Sequence, residues 1–217
     1  MPNFSFNMAS NIDYKLLKDW INNKHLDNKN IINLKRIFIK NKPYKYLELR
    51  KFLNEKKAKS ILLALSKERF YEKNSDLFKF YQTNDIASSK NPRLIEFRNF
   101  LDSEEFIRYI EALTGLKLKI GKVDLAGTLY KDTNLLLCHD DRLETRKIAF
   151  LLYLSDLEEK DGASLNLMDR KFRKIAKIIP KFNKFIFFEV SIHSFHEVEE
   201  LIKDKQRIAL GGWFHDK

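Results

Sequence analysis

Cysteine, glycine and proline are scarce in this chain, and long apolar runs are missing. Its 217 residues include one Cys, six Gly and four Pro. A single cysteine excludes an intramolecular disulfide, and so few glycines and prolines leave no room for a flexible linker. No apolar run approaches the roughly 20 residues needed to cross a bilayer, and the N-terminal segment lacks the charged start and apolar core of a secretory signal. The sequence therefore predicts one compact unit in the cytoplasm, without a membrane partner.

Positive charge is what the chain has in excess. Its formal net charge is +11 and its pI is about 9.5. A basic surface is attracted to nucleic acid over long distances, which would favour an anionic neighbourhood such as the ribosome. Lysines are spread through the whole sequence, however, so solvated helix and loop faces are the default explanation. Because there is no RNA-binding signature or zinc-finger spacing, we expect no direct sequence-specific binding to nucleic acid.

The first 110 or so residues read mainly as helix. In SNIDYKLLKDWINNKH, apolar residues stand three and four apart behind a Ser10 or Asn11 cap. Residues 1–40 are therefore predicted to form an N-terminal helical extension, which either packs on the rest of the chain or binds a partner. LELRKFLNEKKAKSILLALSK and DSEEFIRYIEALTG show the same spacing and are predicted to be helices that brace the following domain from outside.

The second half reads mainly as strand. Short strand-like runs separated by turns, following a set of helices, favour an α+β domain built on a double-stranded β-helix, the jelly-roll or cupin-like barrel. The mouth of such a barrel is a ready cavity for a small molecule. The predicted strands lie in KLKIGKVDLAGTLY, TNLLLCH, KIAFLLYLS, ASLNLMD, KFIFFEVS, SFHEV and RIALGGWFH.

His139, Asp141 and His196 form the most informative pattern. Two imidazoles and one carboxylate can occupy one face of a six-coordinate iron and leave the other face open for a cosubstrate and oxygen. Alternate side chains of a strand share a face, so His139 and Asp141 can both point into a barrel, while His196 comes from a distant strand. The alternative is that His139 is a barrel-rim histidine bonded to a neighbouring carboxylate.

Arg207 follows His196 by eleven positions and begins another strand-like run. A guanidinium is always charged and presents a rigid fork that grips a carboxylate with two bonds. It can therefore anchor the far end of a dicarboxylate whose near end chelates the iron, which would make the cosubstrate 2-oxoglutarate. The alternative is an ordinary surface arginine.

The segments that carry these residues resemble a known family. LLLCHDD with RKIAFLLYL, FFEV with SFHEV, and GWFH are similar to the catalytic domain of the ribosomal-protein prolyl hydroxylases. YEKNSDLFKFYQTND and NKPYKYLELRKFL extend the resemblance upstream, so that it covers residues 41–217. It implies an oxygenase domain that hydroxylates a prolyl residue of a protein while 2-oxoglutarate is decarboxylated to succinate. It also implies iron(II), O2 and, as an optional reductant, ascorbate.

Carried over by position, the resemblance places the metal ligands at His139, Asp141 and His196 and the carboxylate anchor at Arg207. Tyr130 and Tyr153 match two tyrosines that contact 2-oxoglutarate in the family, and a phenol hydroxyl can donate to a carboxylate beside an arginine. The alternative for both tyrosines is ordinary strand packing.

The chain also departs from the family pattern. Relatives often have a small hydroxyl residue two positions after the arginine, where this chain has Ala209. One hydrogen bond to the cosubstrate is then expected to be missing, a change worth about 0.5 to 1.5 kcal/mol. Eukaryotic members carry a second barrel-like domain, whose part in substrate handling we expect to be absent here or supplied by a partner.

Two further predictions concern single segments. The stretch from Tyr71 to Asp85, with Asp76, Lys79 and Gln82 between aromatic residues, is a candidate lid over the substrate, or else a plain edge strand. Cys138 stands directly before a proposed ligand, but we expect it to be a buried apolar filler on the outward face of its strand.

Three classes of function are compatible with these residues. The first is a prolyl hydroxylase that acts on a protein loop, for which the resemblance favours a small-subunit ribosomal protein. The second is a related oxygenase that hydroxylates a small molecule or another protein residue, and the third is a non-catalytic basic binding protein. The complete ligand set argues against the third class, because a pseudo-enzyme usually loses a ligand.

Overall fold

The structure, a computed structural model, describes residues 14–143, 145–202 and 204–216. They form an α+β fold, as predicted, with the helices mainly before the strands. The helices are α1 (Tyr14–Trp20), α2 (Asn28–Lys40), α3 (Glu55–Leu65), α4 (Pro92–Asp102) and α5 (Glu104–Thr114). The strands are β1 (Tyr46–Arg50), β2 (Tyr71–Ser75), β3 (Phe78–Gln82), β4 (Val123–Tyr130), β5 (Leu135–His139), β6 (Arg146–Tyr153), β7 (Leu165–Met168), β8 (Lys174–Ile178), β9 (Lys184–Glu189), β10 (His196–Val198) and β11 (Arg207–His215).

All pairings between these strands are antiparallel. The order along the sheet is β1-β9-β6-β11-β4-β3-β5-β10-β7-β8, and β2 pairs with β3. Strand β3 joins the two halves of the sheet, because Phe78 and Lys79 pair with β5 whereas Tyr81 and Gln82 pair with β4. The sheet therefore curls into the predicted double-stranded β-helix, with a cavity between its two halves.

The helices pack on the outside of the larger half of the sheet. Ser103 caps α5 by accepting a hydrogen bond from the Phe106 amide at 3.2 Å, and Gly115 ends it with a φ of 76°. A helix that begins with a serine cap and ends on a left-handed glycine is well delimited by its sequence. Within the described residues, no helix is both long and apolar enough to cross a membrane.

The described part of the predicted N-terminal extension packs on the rest of the chain. The ring of Trp20 in α1 stacks on Phe100 with centroids 4.9 Å apart, and Phe38 in α2 lies 5.7 Å from Phe187 on β9. These residues belong to the same buried cluster as the brace helices. The proposed Ser10 or Asn11 cap lies outside the described residues.

The structure corrects the secondary structure of several segments. LELR, predicted as helix, forms most of β1, where Leu47 and Leu49 alternate with more exposed residues and pair with β9. The helix expected there begins at Glu55. Strand β4 begins at Val123, so KLKIG before it is not part of a strand. Helix α2 lies within the predicted N-terminal helical extension, whereas helix α4 and strand β8 were not predicted as individual elements.

His25 is a titratable group in the helical layer. It is 6% exposed, and its Nε2 donates to the Arg50 carbonyl at 3.1 Å. Burial lowers the pKa of His25, and the Arg50 carbonyl opposes this only in part, while the positive charge of Lys24 adds to the lowering. The unfolded chain therefore takes up a proton near pH 6.5 that the folded chain takes up only at lower pH.

We expect His25 to make the protein acid-sensitive. Its contribution to stability is complete above pH 6.5 and is lost as the pH falls towards the lowered pKa of the folded state. Melting temperatures of wild type and His25→Gln, measured in metal-free buffer between pH 7.5 and 5.5, should show a smaller decrease for the variant. Identical pH dependence in the two proteins would show that His25 has no such role.

Candidate metal and cosubstrate site

A cavity of about 150 Å³ lies between the two halves of the sheet. Most of its wall is apolar, and a small number of polar side chains converge within it, as is usual for small-molecule sites. The apolar and glycine positions are Phe80, Leu136, Ala149, Phe150, Leu151, Leu165, Phe188, Val198, Gly211, Gly212 and Trp213, and the polar ones are Gln82, Thr128, Tyr130, His139, Asp141, His196 and Arg207.

The three predicted metal ligands meet in this cavity. Nε2 of His139 is 3.4 Å from Oδ1 of Asp141, and Nε2 of His196 is 3.3 Å from Oδ2 of the same carboxylate. One ligand atom from each residue lies within 4.8 Å of the other two, a spacing that could hold a metal ion. His139 and His196 come together because they are opposite each other in the β5–β10 pairing.

Asp141 reaches the cluster for a different reason from the one predicted. Strand β5 ends at His139, and Asp141 has a φ of 60°, in the left-handed region. Strand alternation therefore does not place Asp141 beside His139; a turn after the strand does. The Ser194 hydroxyl holds this turn by donating to the Asp140 carbonyl at 2.8 Å.

The protonation of the two imidazoles fits a metal site. Nδ1 of His139 donates to the Leu137 carbonyl at 2.8 Å, and Nδ1 of His196 donates to the Ser194 carbonyl at 2.7 Å. Since a carbonyl only accepts, each Nδ1 carries a proton, and each Nε2 can present a lone pair to a metal ion bound beside Asp141. Backbone partners of this kind fix the orientation of metal-ligating histidines.

The charges of the three clustered side chains also fit a metal site. Burial would raise the pKa of Asp141, but His196 and then His139 lower it well below its usual range. Burial would lower the pKa of His139, but the Asp141 carboxylate raises it overall. The carboxylate therefore stays ionised among buried groups and attracts a cation, so the three residues fit iron(II).

Arg207 lies deep in the cavity, and some of its buried hydrogen-bond donors are available to a ligand. Only 1% of its surface is exposed, and its Nε and Nη2 atoms have no hydrogen-bond partner among the described residues. A buried charge without partners is costly, so these donors fit an acidic ligand. The guanidinium carbon is 4.7 Å from the ring centroid of Tyr130 and 5.0 Å from that of Tyr153. The site therefore fits the carboxylate of 2-oxoglutarate.

The two tyrosines differ in position. Tyr130 lines the cavity and stacks on Phe80, with centroids 5.2 Å apart. Tyr153 is fully buried beside Arg207, and within the described part of the chain its hydroxyl has no partner in hydrogen-bond geometry and the residue does not line the cavity. Burial raises the pKa of both phenols although the Arg207 charge opposes it, so both stay neutral donors.

The candidate lid is a hairpin of β2 and β3. Gln82 lines the cavity, whereas Lys79 alternates with Phe80 along the strand and faces the other side. Asp76 lies in the exposed turn at the tip of the hairpin. Of the three residues named for the lid, Gln82 is the one placed to contact a ligand, and a lid role for the hairpin stays a prediction.

The structure adds polar groups that the sequence did not single out. Thr128 lines the cavity and lies opposite Ala209, with its hydroxyl 3.5 Å from the Ala209 carbonyl. It therefore brings a hydroxyl to the wall where the family's hydroxyl residue is missing. The guanidinium carbon of Arg146 lies 3.4 Å from the ring centroid of Trp213, another lining residue.

Cys138 does not fit its prediction. Its side chain is on the outward face of β5, as expected, but it is exposed rather than buried. Partial desolvation and the nearby carboxylates of Glu197 and Asp140 raise the pKa of its thiol. Cys138, which directly precedes His139, is therefore a weakly acidic surface thiol that points away from the cavity.

Residues 125–215 match the pattern of the family described as the 2OG-Fe(II) oxygenase superfamily, in which 2OG is 2-oxoglutarate. The chain belongs to this superfamily. The matched range contains His139, Asp141, His196 and Arg207. Membership in the superfamily implies iron(II) and 2-oxoglutarate, which are the metal and the cosubstrate that the donor atoms of the cavity fit.

Curated proteins with similar sequences include named prolyl hydroxylases. Mouse prolyl 3-hydroxylase OGFOD1 is 39% identical over 153 residues, which cover 67% of this chain and 28% of the mouse protein. Ostreococcus tauri prolyl 3,4-dihydroxylase OGFOD1 is 37% identical over 189 residues, which cover 76% of this chain and 36% of that protein. The match thus spans about a third of the length of these relatives.

A solved structure supports the fold of this superfamily member. The crystal structure of a Pseudomonas putida prolyl-4-hydroxylase superimposes with a TM-score of 0.70, covering 85% of this chain and 99% of that one. The sequence identity is 16%, so the likeness concerns the fold alone. It supports the double-stranded β-helix already evident from the strand order.

Proposed function

We propose that this chain is an iron(II)- and 2-oxoglutarate-dependent prolyl hydroxylase that acts on a protein, and that its target is a small-subunit ribosomal protein in the cytosol. The observation that carries the oxygenase assignment is the single cavity that holds both the three-residue ligand cluster and the unpartnered donors of Arg207. The named prolyl hydroxylases among the relatives support prolyl as the target residue.

Each part of the cavity has a separate task in this reaction. When bound, iron(II) and 2-oxoglutarate use O2 to convert a C–H bond of the substrate into C–OH, with release of succinate and CO2. His139, Asp141 and His196 would hold the metal. Arg207 holds the far carboxylate of 2-oxoglutarate, with the neutral hydroxyl of Tyr130 beside it. These residues orient the reactants rather than supply the oxidising chemistry.

The apolar wall keeps water away from the reacting groups. Phe80, Leu136 and Phe188 line the cavity together with the ligands, so few protein groups near the metal can bind water. Exclusion of water strengthens the electrostatic interactions inside and protects a reactive centre from side reactions. An extended loop that presents one proline suits the open mouth, because proline's fixed φ lowers the ordering cost of binding.

The net charge of +11 gives modest support to a ribosomal target, since a basic surface favours approach to a particle rich in RNA. Mass spectrometry of ribosomal proteins incubated with enzyme, iron(II), ascorbate and 2-oxoglutarate tests the proposal. We expect one added oxygen on a prolyl residue of a small-subunit protein. The matched control is Asp141→Ala, which should leave the same peptide unmodified.

Other outcomes would assign a different function. If no ribosomal peptide changes but a free amino acid or another metabolite stimulates succinate formation, the protein is a small-molecule oxygenase. If added oxygen appears on a residue other than proline, the reaction class holds and the target residue is wrong. If the wild type neither binds metal nor consumes 2-oxoglutarate under any of these conditions, the barrel is a binding protein.

A further inference from the structure

The connection between β5 and β6 carries Asp141. At its C-terminal end, Thr145 contacts the last strand of the sheet. The Thr145 hydroxyl is 2.8 Å from Nδ1 of His215. On the other side of this imidazole, Nε2 is 3.1 Å from Oδ2 of Asp124. His215 is 4% exposed, whereas Thr145 lies at the surface. A buried imidazole thus bridges the strand β4 and the connection that leads from the metal cluster.

The backbone of this connection needs such support. Asp141 has a φ of 60° and Thr145 a φ of 72°. The left-handed region is uncommon for any residue other than glycine and especially unfavourable for a β-branched one. Conformations of this kind persist only where the surroundings hold them. Besides the His215 contact, the Asp216 amide donates to the Thr145 carbonyl at 2.8 Å.

The direction of the Thr145–His215 hydrogen bond follows from its neighbours. Nζ of Lys122 donates to the Thr145 hydroxyl oxygen at 3.3 Å, which leaves the hydroxyl proton to be donated to Nδ1 of His215. Nε2 of His215 lies close to the Asp124 carboxylate, but this contact does not have the geometry of a hydrogen bond. The imidazole is therefore tied to the connection through Thr145.

An irregularity in the sheet coincides with this contact. Phe214 pairs with Ile148, but His215 pairs with Arg146, so β6 has one extra residue at this point. A bulge of this kind turns a side chain away from its regular direction. From the same end of β6, Nη1 of Arg146 donates to the Asp141 carbonyl at 3.4 Å. Fixing Thr145 therefore also fixes the first residue of β6, which contacts Asp141.

We propose that His215 is a positioning residue that holds Thr145 and thereby keeps the Asp141 carboxylate in place for the metal. The inference rests on the metal-binding role of Asp141 in the proposed function. His215 is not one of the residues that line the cavity; it acts through Thr145 and the adjacent Arg146, whose guanidinium donates to the Asp141 carbonyl. His215 is the last residue of the GWFH segment, so this segment of the family resemblance contributes a positioning residue.

Thr145→Val and Thr145→Ser form a matched pair that tests the proposal. Valine keeps the shape of threonine and loses the hydroxyl, whereas serine keeps the hydroxyl. Mn(II) binding, followed by the paramagnetic resonance signal of free Mn(II), reports on the metal site without turnover. We expect about tenfold weaker binding for Thr145→Val, as for the loss of an outer partner of a metal ligand, and near wild-type binding for Thr145→Ser.

His215→Gln gives an independent measurement. If His215 acts through Thr145, the double variant His215→Gln/Thr145→Val should bind Mn(II) about as weakly as the weaker single variant, because the two changes break the same contact. Losses that multiply in the double variant would overturn the proposal. If His215→Gln fails to fold, the comparison of Thr145→Val with Thr145→Ser at this exposed position still tests the proposal.

The outcomes distinguish this inference from the proposed function. If the wild type binds Mn(II) and Thr145→Val binds it equally well, the positioning role is wrong and the oxygenase proposal stands. If the variants separate as expected but no proline is hydroxylated, the positioning role stands and the substrate is wrong. A wild type that binds no divalent metal overturns both.

Discussion

Replacing Asp141 with alanine is expected to abolish the conversion of 2-oxoglutarate to succinate, and His139→Ala and His196→Ala should do the same. Each change removes one of three converging donors, and Asp141 is the only one that carries a negative charge. The loss should exceed the roughly 10- to 100-fold effect of removing an outer partner of a ligand. Succinate formation and Mn(II) binding, measured on the same preparations, test this.

Asp140→Ala is the matched control for these variants. Its carboxylate accepts from the Arg142 amide at 3.0 Å and is not part of the ligand cluster, while its carbonyl contact with Ser194 needs no side chain. We expect Asp140→Ala to keep most of the activity. The ligand variants should melt close to wild type, because they lie in a cavity rather than in the packed core. Turnover by Asp141→Ala with normal metal binding would refute the metal assignment.

Removing the Arg207 guanidinium should raise the concentration of 2-oxoglutarate that the enzyme requires, while iron still binds. Each charged hydrogen bond lost is worth about 1.5 to 3 kcal/mol, or roughly 10- to 100-fold in affinity. Arg207→Met fills much of the vacated space without a charge, and Arg207→Lys should recover only part of the affinity, because a point charge replaces a fork. Direct binding of 2-oxoglutarate to the Mn(II) form measures the effect.

Comparison of 2-oxoglutarate with 2-oxovalerate makes this experiment specific for the far carboxylate. The two compounds share the chelating end, but 2-oxovalerate has no carboxylate to reach Arg207. Wild type should strongly prefer 2-oxoglutarate, and Arg207→Met should lose most of that preference. If the preference survives in Arg207→Met, another cation anchors the dicarboxylate. The variant should also be no less stable than wild type without ligand, since it removes a buried charge with no partner at two of its nitrogens.

The barrel was easier to predict from the sequence than the helices that surround it. Its strands are short, apolar and separated by turns, and most of them appear where expected. LELRKFL was ambiguous, because Leu47 and Leu49 fit a strand whereas Leu49, Phe52 and Leu53 fit a helix. Pairing with β9, a tertiary contact, decided for strand. Strand β8 was missed because it is an exposed edge strand, rich in lysine, with no clear apolar alternation.

The candidate site shows a similar division. That His139, Asp141, His196 and Arg207 would come together was readable from the sequence, because iron and carboxylates demand particular donors. The turn that places Asp141 and the inward position of Thr128 could not be predicted from the sequence, since each depends on backbone geometry or strand register. Cys138 was misjudged because a strand with one face towards a cavity can leave its other face in water. Contacts between distant strands, such as His215 with Thr145, leave no local pattern at all.

The position of β11 in the sheet bears on how this protein folds. Among the described strands, β1, β9 and β6 form one group, and β4, β3, β5, β10, β7 and β8 form another; β11 is the strand between them. The metal cluster lies wholly in the second group, but Arg207 is the first residue of β11. Pairings between residues far apart in sequence form slowly, because closing long loops costs entropy before any contact compensates. The sheet can therefore be completed only once residues 207–215 have been synthesised, and metal affinity should arise no earlier than the assembly of the second group.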